Sequence, residues 1–431
     1  MAEGLRVAVV GGGWAGLAAA VEATVRGHQV TLFEMAPQLG GRARSLAGDT
    51  PSGPADLRLD NGQHILIGAY SATLALMRRV GVDPDQVLLR RPLELLDANG
   101  QGLRLRAGSA LITFAVGVWT MSHWSLRERW ALNHAALGWL LKRFRCDPAL
   151  TVAELCAALP ARVRDDFIDP LCVAALNTPA DAASAQVFLR VLHDALFSGP
   201  GASDLLIPRR PLADLLPEPA HRWLTTHGAH VHTGRRVHTI DAAGAHWLVD
   251  GETFDRVVLA CSPAEAARLT RRLAPAWSAC AEALGYEPIV TVYLRAPGAR
   301  LVAPMIALAP GPDKPAQFAF DHGALGINAG VFAFVVSGAA PWVSRGMAAT
   351  TEAVLRQARD ALRGAAPASI EVLKTVAEKR ATLRCVPKLQ RPPATIAPGF
   401  KAAGDHIAGP YPSTLEGAVR SGLAAVDLLG I

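Results

Sequence analysis

The sequence predicts an α/β protein in which one parallel-sheet domain is assembled from discontinuous segments, and an α+β domain, a mixed sheet with helices, is built from the two insertions between them. Three observations carry this expectation. A strand, a glycine turn, a helix and a second strand open the chain; two later segments read as further strands of the same sheet; and the long stretches between them follow a different pattern.

Residues 6–34 hold the first of these. A short apolar strand runs into Gly11-x-Gly13-x-x-Gly16, an alanine-rich helix follows, and Val30-Thr-Leu-Phe ends in Glu34. That order is the βαβ unit of a Rossmann-type, dinucleotide-binding domain. Gly11 permits a turn too tight for a Cβ, Gly13 lets backbone approach a pyrophosphate, and Gly16 lets the helix pack closely on the strands. The helix N-terminus, at Trp14 and Ala15, presents free N–H groups and a partial positive charge to phosphates. Glu34 stands eighteen residues after Gly16, where a carboxylate accepts hydrogen bonds from an adenosine ribose. A glycine triplet alone is a weak signal, but here strand, helix, strand and acid stand in the required order.

The first insertion, residues 73–203, is mostly helical in pattern. Ser125-Leu-Arg-Glu128 and Thr151-Val-Ala-Glu154 are capping boxes, each followed by helix-favouring residues. Within it, residues 107–126 contain no Asp, Glu, Lys or Arg, which meets the length criterion for a membrane span. A single crossing would separate the first βαβ unit from the C-terminal glycine motif, so the segment reads instead as core, or as a monotopic surface with Trp119, Trp124, Trp130 and Trp139 near an interface. The run 227–237 and the buried strand Val257-Val-Leu-Ala-Cys-Ser-Pro263 return to the nucleotide domain. The second insertion, residues 264–391, mixes a helix at 350–363 with strands at 289–294 and 331–336. Residues 400–405 form a last strand ending in Gly404-Asp405, and Ser413 with Glu416 reads as a capping box for the final helix. The expected division is therefore 1–72, 204–263 and 392–431 for the nucleotide domain, with 73–203 and 264–391 for a substrate domain.

At 431 residues the chain can bury a large core, and its 51% hydrophobic and 19% charged content is apolar enough for a lipid-facing pocket or surface. The formal charge of +6 comes from scattered or paired cations such as Arg78-Arg79 and Arg209-Arg210, so nucleic acid is not indicated; weak attraction to anionic headgroups remains compatible. The six cysteines never fall in C-x-x-C spacing and read as reduced thiols of a cytoplasmic protein, with peripheral contact at the inner face of the cytoplasmic membrane compatible with the composition. His230 and His232 alternate on a strand without further ligands nearby, and no metal is expected.

Four motifs then specify more: Leu39-Gly-Gly-Arg-Ala-Arg44, Asp60-Asn-Gly-Gln-His64, the Val237 region, and Gly404-Asp405 followed by Pro412-Ser-Thr-Leu-Glu-Gly-Ala-Val-Arg-Ser-Gly422. Together, over essentially the whole chain, they resemble the flavin-containing amine oxidase and phytoene desaturase superfamily. Asp60–His64, Leu176-Asn-Thr-Pro179 and the Thr-Leu-Glu-Gly-Ala-Val ending resemble its squalene-associated branch, whose members are hydroxysqualene dehydroxylases. The resemblance implies FAD. It places Gly11, Gly13, Trp14, Ala15, Gly16, Glu34, Met35, Gly40, Gly41, Arg42, Gly62, Gln63, Val237, Gly404, Asp405, Leu415, Glu416 and Ala418 at that cofactor. It further implies reductive removal of an allylic hydroxyl, with hydride delivered from reduced flavin to a hydrophobic isoprenoid in an apolar tunnel. A general acid is then required; His64 is the first candidate, against a merely structural role, and Asp169, Asn177 and His193 are candidates for the pocket. No second dinucleotide fingerprint is present, so the external electron donor is left unspecified. An oxidising desaturase or oxidase of another isoprenoid or of an amine is the alternative enzyme, and a lipid carrier without redox chemistry the non-enzymatic one.

Overall fold

A computed structural model of the protein describes residues 4–46, 57–104, 110–121, 123–197, 199–309, 311–363 and 370–430. Its nucleotide-type sheet has six strands. Arg6–Val10 lies between Gln29–Phe33 and Arg256–Leu259, both parallel to it; His230–His232 extends one side and Phe400–Ala402 the other, with Thr395–Ala397 antiparallel at the edge. The central strands are covered on both faces, which is why they read as unbroken apolar runs: Val7, Ala8, Val9 and Val257, Val258, Leu259 are fully buried. The first helix, Trp14–Val25, and the final helix, Leu415–Leu429, pack against each other. A Cβ at Gly422 would lie 2.2 Å from the Ala15 carbonyl oxygen, so a glycine there sets how closely they cross.

The second sheet is antiparallel, in the order Met305–Ala307, Phe318–Asp321, Val331–Val336, Tyr286–Arg295, Glu371–Leu383. Helix Met347–Ala361 covers one face of it through Val354, Ala358 and Ala361. Between the two large sheets, strand Leu205–Pro208 pairs with Leu66–Ile67 and Leu88–Arg91, joining three separated stretches of chain.

Helices Ala110–Trp119, Leu126–Leu141, Asp169–Leu176 and Ala185–Phe197 form a further layer around Phe114, Trp124, Leu132, Trp139 and Phe167. Both capping boxes form here, Ser125 with Glu128 and Thr151 with Glu154. The stretch 107–126, of which 107–109 and 122 lie outside the described residues, does not make one long helix. It stops at Trp119 and a new helix begins after the Ser125 cap. Among the described residues no helix is long and apolar enough to cross a membrane.

The cap of the final helix corrects the sequence reading. Thr414, not Ser413, is the N-cap and accepts from the Gly417 N–H at 3.0 Å. Ser413 instead accepts from the Leu383 N–H at 3.0 Å, and Glu416 turns away to another helix. Adjacent Ser and Thr offer the same cap chemistry, and the neighbouring strand engages the serine.

Candidate active site and cofactor cleft

The C-terminal ends of the parallel strands converge on one cavity of about 1230 Å³, larger than the roughly 300–1,000 Å³ of a pocket for one small ligand. Of the residues expected at the cofactor, all line this cavity except Gly16. A Cβ on Gly16 would lie 1.8 Å from the Gly11 carbonyl oxygen, so its role is helix packing. Gly40 and Gly41 both have positive φ, and the Gly40 N–H donates to the Gly12 carbonyl at 2.9 Å, laying the second glycine loop against the first. The Trp14 indole N–H clips the same loop by donating to the Ala43 carbonyl at 3.0 Å. A Cβ built on Gly41 would lie 3.1 Å from the Gly13 Cα, so the two loops meet backbone to backbone and present a glycine edge to the cavity, a cradle suited to a pyrophosphate.

Glu34 is buried at the end of its strand. Its Oε2 accepts from the Gly12 N–H at 2.6 Å and its Oε1 from the Ala36 N–H at 2.8 Å. A carboxylate has about four lone-pair sites, so two remain for ribose hydroxyls. Met35 is exposed at the rim, and the Val237 carbonyl accepts from Arg268 at 2.6 Å. Arg42 does not stand free beside the phosphates: its guanidinium pairs with Asp405 and donates to the Ala381 carbonyl at 2.9 Å. Burial pushes the Asp405 carboxyl up, yet the neighbouring Arg42 charge and the Arg42 and Ser413 hydrogen bonds bring it below its ordinary value. Next to it His406 is buried, lines the cavity, and has no hydrogen-bond partner at Nε2 among the described residues. Two glycine loops, a ribose-type acceptor with lone pairs to spare and a cavity of this size fit a bound dinucleotide.

The Asp60–His64 segment is fixed at several points. The Asp60 carboxylate accepts from Ser45 Oγ at 2.7 Å and the Leu212 N–H at 3.0 Å, its carbonyl accepts from the Tyr293 hydroxyl at 3.0 Å, and burial pushes its carboxyl up to about 6. Gln63 Oε1 lies 3.0 Å from His322 Nε2. Desolvation lowers the His322 pKa to about 4, so the ring is neutral and donates this bond. His64 lines the cavity with Nδ1 2.9 Å from the Gly62 carbonyl oxygen, which fixes the proton on Nδ1. Burial lowers its pKa and the Arg42 charge adds to this, against the Gly62 bond. A neutral ring with its proton committed to a carbonyl is a hydrogen-bonding group and a weak proton donor, which counts against His64 as the acid.

At the final helix, Leu415, Glu416 and Ala418 line the cavity, and the positive end of the helix dipole lies there. Glu416 is almost fully buried and its side chain serves the protein. It accepts from the Ala72 and Thr73 N–H groups at 3.0 and 2.9 Å and from Thr73 Oγ1 at 2.8 Å, and it pairs with Arg420 at 2.7 Å. It thus caps helix Ser71–Arg79, a contact between residues 343 and 344 apart that no local pattern could indicate.

Beyond the cradle the cavity becomes apolar, with Leu93, Leu95, Leu171, Ile289, Met305, Phe318, Phe320 and Val335 in its wall. Asn177 lines it, but its amide is engaged: it donates to the Glu287 carbonyl at 3.2 Å and Thr382 Oγ1 at 2.9 Å and accepts from the Gly338 N–H at 2.7 Å. It sits in a left-handed conformation (φ 48°) and ends helix Asp169–Leu176. His193 faces the cavity with Nδ1 2.9 Å from Asp194 Oδ1. Asp169, expected in the pocket, is exposed at the start of its helix and outside the cavity wall, because that helix turns its later residues, Leu171 and Val173, inward. Sequence reading missed Arg190, Tyr411 and Arg420, a group at the cavity in which both guanidinium carbons lie over the Tyr411 ring at 5.3 and 5.5 Å. Only the fold brings these residues together.

Known proteins resemble this chain over nearly its full length. The Zymomonas mobilis hydroxysqualene dehydroxylase is 25% identical over 97% of this chain and 98% of its own, and the Rhodopseudomonas palustris hydroxysqualene dehydroxylase 28% identical over 98% of both. An oxidoreductase from Methanosarcina mazei superposes with a TM-score of 0.73 at 16% identity, covering 98% of this chain and all of that one. The family model described as flavin containing amine oxidoreductase matches residues 14–429, from the first helix beside the glycine cradle to the last turn of the final helix. The chain therefore belongs to the flavin containing amine oxidoreductase family and is an FAD-dependent oxidoreductase.

Proposed function

We propose that the protein removes the hydroxyl of hydroxysqualene reductively, giving squalene and water. The observation that carries this reading is the continuity of the dinucleotide cradle with a long apolar compartment in one cavity; the two full-length relatives named hydroxysqualene dehydroxylase support the substrate. In the reaction the allylic carbon–oxygen bond breaks, the oxygen takes a proton and leaves as water, and carbon gains a hydrogen with its electron pair. Bound FAD, reduced by an external donor, supplies that hydride equivalent. Glu34 and the two glycine loops would hold the adenosine and pyrophosphate of that cofactor, and the N-terminus of the final helix would favour negative charge developing on it. The apolar wall binds the hydrocarbon by removing it from water and keeps water from the developing cation. An amine substrate is disfavoured by the chemistry of Tyr411: two guanidinium groups already lie over its ring, and they would repel a third cation.

The test is anaerobic incubation of the chemically reduced holoenzyme with hydroxysqualene. We expect squalene in amounts equal to the flavin reoxidised; a flavin that stays reduced, with no product, overturns the proposal. His64→Ala in the same assay separates its roles. Retained turnover assigns the proton elsewhere, with His193 beside Asp194 and His406 the other imidazoles of the cavity, whereas lost turnover with FAD retained assigns it to His64.

A further inference from the structure

Helix Leu126–Leu141 is apolar on two opposite faces. Leu132 and Trp139 pack inward, while Leu126, Trp130, Leu137 and Leu141 are 65%, 64%, 51% and 76% exposed. These four follow one another at intervals of four, seven and four residues, so they form one stripe along the outer side. Helix Ala110–Trp119 continues the patch with Val116 and Trp119, whose indole meets Trp130 edge-to-face at 6.0 Å. A globular protein leaves such a contiguous patch open only where something binds it.

Charge and aromatic content identify the occupant. Between residues 110 and 145 the cations Arg127, Arg129, Lys142, Arg143 and Arg145 face one carboxylate, Glu128, which is spent on the Ser125 cap. Paired tryptophans at the edge of an aliphatic stripe, flanked by Lys and Arg, suit the boundary between acyl chains and anionic headgroups. A second copy of the chain would bring like charges together across the contact. The same surface is tied to the cavity: Gln186 donates to the Phe144 carbonyl and accepts from the Cys146 N–H, both at 3.1 Å, and the Phe144 ring meets His193 at 5.5 Å. Gln186 and His193 lie on helix Ala185–Phe197, whose Arg190, Val191 and Asp194 line the cavity.

We propose that the outer face of helices Ala110–Trp119 and Leu126–Leu141 docks on an anionic phospholipid bilayer, holding the cavity wall against the lipid from which substrate enters. Binding to lipid stands on these residues alone; delivery of substrate rests on the isoprenoid reading above. The docking is monotopic, since no described helix can span a bilayer.

The experiment is co-sedimentation of the FAD-loaded protein with vesicles of phosphatidylcholine and phosphatidylglycerol, compared with phosphatidylcholine alone. Wild-type protein is expected to bind the anionic vesicles, less so at high salt, with tryptophan emission quenched by brominated lipid. Trp130→Ser combined with Leu137→Ser, both exposed positions, should weaken partition about 10–100-fold, and Lys142→Glu with Arg145→Glu should abolish the preference for anionic lipid. Wild-type protein that stays in the supernatant, or variants that bind equally well, overturn the proposal. So does a wild-type dimer that becomes monomeric in the Trp130→Ser, Leu137→Ser variant without any vesicle binding. Turnover of detergent-dispersed hydroxysqualene reports on the reaction independently. The variants should match wild type there and lose activity only when substrate is presented in vesicles. A protein that binds vesicles but never turns over dispersed substrate retains the docking surface and loses the assigned reaction.

Discussion

Glu34 shows how a position read from spacing acquires a larger task in three dimensions. Its distance from Gly16 indicates an acceptor for ribose, but the carboxylate also holds the Gly12 and Ala36 N–H groups, so it shapes the loop that approaches the pyrophosphate. Hydrogen bonds to a charged group contribute about 1.5–3 kcal/mol each. Glu34→Arg is therefore expected to lower FAD affinity about 10–100-fold or more, read as flavin absorbance per protein after gel filtration; unchanged occupancy would remove the assignment. His64 illustrates the converse. Its place after Asp60-Asn-Gly-Gln suggests an acid near the flavin, whereas the Gly62 carbonyl and burial favour a neutral ring. Neither influence is visible in the residue order, because both depend on what surrounds the side chain.

The final helix was legible as an element and misread at its first turn. Its apolar repeat and the Gly-Asp motif before it locate it, but whether Ser413 or Thr414 caps it depends on strand Glu371–Leu383, whose Leu383 N–H engages the serine. Glu416 then serves helix Ser71–Arg79 as an acceptor for donors that the helix start cannot satisfy internally. Replacing it with alanine leaves the buried Thr73 N–H and hydroxyl unpaired. We expect Glu416→Ala to lose about 1–3 kcal/mol of stability, measured by urea denaturation of the holoenzyme; a midpoint equal to wild type would show that water replaces the carboxylate. The two capping boxes at Ser125 and Thr151 were readable because each closes within four residues. Strand Glu371–Leu383 was not, since its charged residues give no alternation and its pairing along Tyr286–Arg295 carries register shifts.

The assembled protein has a pH response that follows from groups buried in both sheets. His322 and His406 have pKa values lowered by desolvation to about 4, below the ordinary 6.5. Between those values the unfolded chain binds their protons and the folded protein does not, so the stability present above pH 6.5 is lost as pH falls towards 4, by up to roughly 3 kcal/mol for His322. Asp60, raised to about 6, works in the opposite sense: its contribution is present at low pH and lost as pH rises through 6. The lowered histidines, His28, His64, His322 and His406, outnumber the raised aspartates, Asp60 and Asp169, and leave stability rising with pH from 4 to 6.5. His322→Gln should flatten that slope in thermal melts taken across the window, and an unchanged slope would place the titration elsewhere. The amino-acid order determined the βαβ unit, the buried strands at 257–259, 289–294 and 331–336, and the helices that begin at Ser125 and Thr151, because these arise from local periodicity, turn chemistry and fixed spacing. Only the tertiary structure decided that the cradle opens into an apolar compartment, that Arg42 pairs with Asp405, that Asp169 faces outward, and that Arg190 and Arg420 meet over Tyr411. Such outcomes are set by contacts between residues hundreds of positions apart, and burial, which fixes protonation and pairing, exists only once those contacts have formed.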